Sequence, residues 1–126
     1  MGMMINKTKK DIKMIKLSEY IAAIKGENHT PALDPDEIEI SGAYVSDMLS
    51  DVMGSAKPEQ VWITIMKHLN VIAVASMTGI PAIIFAKGHA PDAAVCDKAL
   101  EESICLISSK LETFDLAGTL YKLLGK

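Results

Sequence analysis

Four short polar turns carry the residue types that can do chemistry in this chain. They are Ser46-Asp47, Lys67-His68-Leu69-Asn70, Lys87-Gly88-His89 and Ser108-Ser109. Each follows an apolar run and leads toward a helix-like segment. A helix start has unpaired N–H groups and the positive end of the backbone dipole, which favour an anion. Two of the turns add a lysine and a histidine. Ser46, Asp47, Lys67, His68, Asn70, Lys87, Gly88, His89, Ser108 and Ser109 are therefore candidate residues for holding a small phosphorylated or nucleotide-like ligand. The plainer reading of the same residues is that Ser46, Asn70, Asp92 and Ser109 cap helices and the lysines solubilise.

The familiar catalytic patterns are missing. No GxxxxGK[ST], GxGxxG or GxSxG occurs, and neither HExxH nor a paired-cysteine zinc pattern is present. His29, His68 and His89 lie far apart in sequence and meet at a metal only if the fold brings them together. Asp47 and Asp51, four residues apart, have a spacing at which two carboxylates can share a metal, but an acidic residue in a first helical turn also answers the dipole. No catalytic residue, metal or cofactor is assigned.

The elements that position these turns are organised around 61–88. Here VWITIM, KHLNVIAVASMTG and IPAIIFAKG read as a strand, a crossover helix closed by Gly79 and a parallel strand opened by Pro81. Upstream, Leu17, Tyr20, Ile21 and Ile24 form a helical stripe, with Ser18 placed to cap it and Gly26 to end it in the left-handed conformation. Residues 28–36 read as a loop. EIEI and GAYV read as a strand broken at Ser41-Gly42. A helix capped by Ser46 should bury Val45, Met48, Leu49, Val52 and Met53. Downstream, Asp92 should cap a helix that buries Val95, Cys96, Ala99 and Leu100. A strand follows at 104–107. Ser109 and Glu112 have capping-box spacing for a last helix with Phe114, Ala117, Tyr121 and Leu124 on one face and Leu116, Leu120 and Leu123 beside it. The expected fold is α/β: a single three-layer domain at 14–126, Rossmann-like, with a mainly parallel sheet and flanking helices. Ligands in such sheets bind beyond the carboxyl ends of the strands. Residues 1–13, rich in Lys and Met, read as a flexible extension.

Composition narrows the function classes. The chain has 126 residues, a net charge of −3 and 49% hydrophobic residues, which suits a folded domain and not a nucleic-acid binder. All 13 basic residues are lysine, so no guanidinium fork is available for a carboxylate or phosphate. Cys96 and Cys105 sit in apolar stretches and read as buried, reduced thiols, consistent with the cytoplasm. No apolar run is long enough to span a membrane. The helix at 70–77 is apolar nearly all round. That requires cover on both sides, and a second copy of the chain is the expected cover.

Taken in order, GAYVSDMLSDVMGSA at 42–56, WIT and NVIAVAS within 62–76, PAIIFAKG at 81–88 and TFDLAGTLYKLL at 113–124 resemble the DRTGG domain family. That family in turn resembles the N-terminal, non-kinase domain of HPr kinase/phosphorylase. The resemblance implies a regulatory, ligand-sensing α/β domain that tends to dimerise. It also implies a possible partner protein, with a redox or hydrogenase-linked setting known among stand-alone relatives. The chain departs from the family's name: it has no Arg, and the Thr-Gly-Gly turn stands here as Ala86-Lys87-Gly88. The reading that follows is a non-enzymatic cytoplasmic homodimer that binds a small anionic ligand. The alternative is an adaptor that docks a partner protein through the apolar helices at Asn70 and Glu112. A third reading is an enzyme using His68 or His89 with Asp47.

Overall fold

The computed structural model describes residues 12–126. The expected extension at 1–13 lies almost entirely outside them. Four strands form the parallel part of the sheet: β4 (Gly42–Val45), β5 (Gln60–Thr64), β6 (Ala82–Phe85) and β7 (Cys105–Ser108). A two-residue strand, β2 (Glu27–Asn28), adds antiparallel to β7, giving the order β2-β7-β6-β5-β4. β1 (Ile15–Lys16) and β3 (Glu39–Ile40) make a separate antiparallel pair, with Ile15 opposite Ile40. The break at Ser41-Gly42 is thus where the chain passes from the small sheet to the large one.

From β4 to β7, each strand is placed beside the one before it in the chain, always advancing in the same direction. Right-handed crossovers that keep advancing must all lie on one face. That face holds α2 (Leu49–Ser55), α3 (Asn70–Thr78) and α4 (Ala93–Glu101). They bury Val52, Val71, Ile72, Val74, Ala75, Val95 and Ala99 against Trp62, Ile83, Phe85 and Leu106. The opposite face is covered by α1 (Leu17–Ala23) and α5 (Thr113–Leu123), the first and last helices. Leu17, Tyr20, Leu116 and Leu120 pack there on Val61, Ile63, Ile84 and Ile107. Alternate strand residues therefore enter two different cores. With both faces covered, β5, β6 and β7 are continuous apolar runs instead of alternating ones. The result is a three-layer α/β domain with a mainly parallel sheet. Among the described residues no helix is long and apolar enough to cross a membrane.

Several local expectations are corrected. Ser18 does not cap α1; its hydroxyl donates to Asp36. Lys25, not Gly26, takes the left-handed conformation after α1, with φ 51°. Gly26 is needed for space, since a Cβ there would lie 2.6 Å from Cγ2 of Ile107. Lys25 N–H donates to Ala22 and Gly26 N–H to Ile21, the paired closure of a Schellman motif. Ser46 bonds the Met48 N–H before α2 begins, and Asp47 precedes the helix instead of lying in its first turn. On α2 only Val52 is buried; Val45, Met48 and Met53 are exposed, because β4 is an edge strand with nothing packed beyond it. The α3 helix is less bare than its sequence suggests: Val74 is buried inside the protomer, and Ala73, Ser76 and Met77 face outward. On α4, Cys96 is half-buried and Leu100 is exposed, whereas Cys105 lies fully in the core. Burial raises both thiols above their ordinary pKa; Asp97 and Asp92 add to this at Cys96, while Thr30 partly offsets it at Cys105. On α5, Leu116, Leu120 and Leu124 point inward, while Phe114 is 85% and Tyr121 59% exposed.

Candidate functional site

Because β4 to β7 run in parallel, their C-terminal ends gather on one rim, and all four polar turns lie along it. The rim has two halves with different characters. At the β4–β5 half, Asp47 Oδ1 accepts from Thr64 Oγ1 at 2.7 Å and from Ile65 N–H at 3.0 Å. Trp62 Nε1 donates to the Ser46 carbonyl at 2.8 Å. These bonds tie the two strand ends together, and Ser46 and Asp47 are occupied in doing so. Lys67, His68 and Asn70 follow as exposed residues at the start of α3. Leu69, not Asn70, is the residue before that helix, and no side chain caps it.

The β6–β7 half holds a cavity of about 360 Å³. Gly88 comes from the turn after β6, and Ser108, Ser109 and Lys110 come from the end of β7. Lys25 reaches it from the turn after α1, and Glu27 from the start of β2. The antiparallel edge strand explains this last contribution: β2 runs back along β7 with Glu27 opposite Ser108, so its start sits at the finish of its neighbour. Ile24, Ala90 and Leu111 provide the apolar part of the wall. Two lysines against one glutamate give the lining one net positive charge.

Hydrogen bonds define what remains for a ligand. The Ser108 hydroxyl lies 2.7 Å from His29 Nε2, and Ser109 Oγ donates to the Ile24 carbonyl at 2.8 Å. Ser109 Oγ also accepts from Leu111 N–H, so it closes a local turn and does not cap α5, whose N-cap position is Glu112. The turn after β6 is bonded to the loop beside it. Lys87 N–H donates to Leu111 and Gly88 N–H to Ser109, while His89 N–H closes back on Ala86. With φ of 60° and 73°, Lys87 and Gly88 form the centre of a type I′ turn. Its backbone donors are all used, so it offers no nest of N–H groups to an anion. Among the described residues, ion pairs form only between Lys98 and Glu101 (3.7 Å) and Glu102 (3.8 Å). Lys25, Lys110 and Glu27 thus face the cavity without such a partner.

Of the ten residues singled out from sequence, Gly88, Ser108 and Ser109 line this cavity. Lys87 and His89 flank it in the turn, and the other five belong to the opposite half. Asp92, by contrast, caps α4 as expected, accepting from Val95 N–H at 3.1 Å. Sequence alone gave no sign of Lys25, Glu27 and Lys110. Lys110 follows directly on Ser109 and is the one that a longer reading of that turn would have included. Among the described residues, no three His, Cys, Asp or Glu side chains are placed to share a metal ion.

No protein-family model matches the chain, and no curated protein sequence matches it. Among solved structures, it is similar to the CBS and DRTGG domains of the regulatory region of Clostridium perfringens pyrophosphatase, complexed with its activator, diadenosine tetraphosphate. The TM-score is 0.69 at 14% identity, over 89% of this chain. The chain spans 47% of that structure's length. The likeness is one of fold: this chain has a DRTGG-like α/β architecture.

Proposed function

We propose that this chain is a non-enzymatic regulatory domain, cytoplasmic and homodimeric, that binds a small anionic ligand, phosphorylated or nucleotide-like, at the β6–β7 end of the rim. The observation that carries the reading is the cavity itself. It lies at the carboxyl end of parallel strands, where open α/β sheets receive ligands, and two lysines line it with no carboxylate paired to either among the described residues. The similar fold in a regulatory region complexed with a nucleotide activator supports the regulatory role. Thermal denaturation with nucleotides and phosphorylated metabolites tests it, because a ligand of the native state raises the melting temperature. At 100 times its dissociation constant a ligand adds about 2.7 kcal/mol. Lys110→Ala should abolish the shift. No shift with any phosphorylated compound would defeat the reading and favour an adaptor role.

The dimer is supported by α5. Phe114, Gly118 and Tyr121 lie at i, i+4 and i+7 on its exposed side. A Cβ at Gly118 would meet nothing, so no contact within the protomer requires a glycine there. Asp115 and Lys122 flank the same stripe with opposite charges. An antiparallel pair of α5 helices about a two-fold axis near Gly118 would set each Phe114 beside the partner's Tyr121 and each Asp115 beside the partner's Lys122. Phe114→Glu should leave the fold intact and give a monomer in sedimentation equilibrium.

A further inference from the structure

We propose that the cavity takes a phosphomonoester of the size of a nucleoside monophosphate, its phosphate between Lys25 and Lys110 and a hydrogen-bond donor of its body at Glu27. This rests on the anionic-ligand reading above and narrows it. Three observations set the class. The first is charge. A phosphomonoester carries between one and two negative charges near neutral pH, which two lysines match. A polyphosphate chain would lay further charge against Glu27, which lines the same wall. The second is the donor supply. The chain has no arginine, and the N–H groups of Lys87, Gly88 and His89 are already bonded to Leu111, Ser109 and Ala86. Polyphosphates are held by such backbone cradles, and this one is closed. The third is size. About 360 Å³ is near the lower end for small-molecule pockets, which suits one nucleoside and not two. Glu27, unpaired among the described residues, is then matched by a ribose hydroxyl or a ring amino group.

Lys25 adds an independent sign. It occupies the left-handed position at the end of α1, where glycine is the usual residue. Ser103 holds the same position after α4, with φ 58°, at the opposite end of the sheet. Glycine relieves the conformation at either place, but only at Lys25 does it remove a side chain from the cavity.

Isothermal titration of the full chain tests the assignment with AMP, GMP, CMP, UMP, inorganic phosphate, ATP and diadenosine tetraphosphate. At least one monophosphate should bind tenfold or more tighter than phosphate, ATP and the tetraphosphate. Lys25→Ala and Lys110→Ala should each weaken it at least tenfold. Glu27→Gln should narrow the gap between monophosphate and triphosphate. Lys25→Gly should raise the melting temperature by about 4 °C while losing affinity. Ser103→Gly should give the same rise with affinity unchanged. Tighter binding of ATP or the tetraphosphate, lost in Lys25→Ala, would overturn the ligand class and leave an anion site standing. Monophosphate binding untouched by both lysine substitutions would overturn the placement. Silence from every phosphorylated probe would overturn the anionic-ligand reading as well.

Discussion

Tyr20 shows how one side chain can join distant parts of the chain. It is fully buried on α1, and its hydroxyl donates to the Leu116 carbonyl on α5 at 2.8 Å, bridging 96 positions of sequence. Burial pushes its phenol well above the ordinary value. The folded state therefore keeps the proton that the unfolded chain releases near pH 10. Its stabilising share is complete below that pH and is lost as pH rises toward the folded value. Absorbance at 295 nm should show Tyr20 ionising only together with the loss of far-UV dichroism. In Tyr20→Phe that coupling should disappear, at a cost of about 1 kcal/mol for the hydrogen bond. Gly26 is constrained as tightly by space. Its substitution by Ala would drive a methyl into Ile107, a side chain in the core, and should lower stability by about 1–3 kcal/mol in urea titrations. Asp47 is different in kind. Asp47→Ala removes two bonds between strand ends and should cost about 2 kcal/mol without changing ligand affinity, because Asp47 does not line the cavity.

Among the elements, what was legible in the sequence follows from how strongly each is driven. The unit from Val61 to Gly88 is strand, helix and parallel strand as its apolar runs imply, since both faces of β5 and β6 are covered. Helix starts were harder. Ser18, Ser46 and Ser109 have cap chemistry, but each hydroxyl serves a turn or a tertiary bond, and only Asp92 caps its helix through its side chain as expected. The strand β2 could not be read at all, because Glu27-Asn28 has neither length nor apolar pattern. That gap also hid much of the cavity. Gly88, Ser108 and Ser109 follow strands that announce themselves, whereas Lys25 and Glu27 reach the rim only through this two-residue return. The face of α5 was misjudged for a related reason. Periodicity gave a wide apolar surface, and the fold uses the half with Leu116, Leu120 and Leu124. The exposed half sets a prediction with a sign. An exposed mid-helix glycine costs about 1 kcal/mol relative to alanine, so Gly118→Ala should stabilise an isolated protomer. In a dimer packed at that residue it should instead weaken association, which analytical ultracentrifugation at several concentrations can separate.

At the scale of the whole molecule, one sheet serves two cores, and its parallel strands deliver four turns to a single edge. The half of that edge near β4 is sealed by Asp47 and the Trp62 indole, while the half near β7 stays open. The layer opposite the crossovers is built from the first and last helices. During synthesis this has a consequence of its own. The crossover face can close in step with translation, but the other waits for residues beyond Thr113 to leave the ribosome. Until then, alternate side chains of β5 to β7 face water with half their cover missing. A nascent chain arrested before α5 emerges should bind a ribosome-associated chaperone strongly and release it once Leu120 has left the exit tunnel and can pack, which makes α5 the latch that closes a sticky half-sheet.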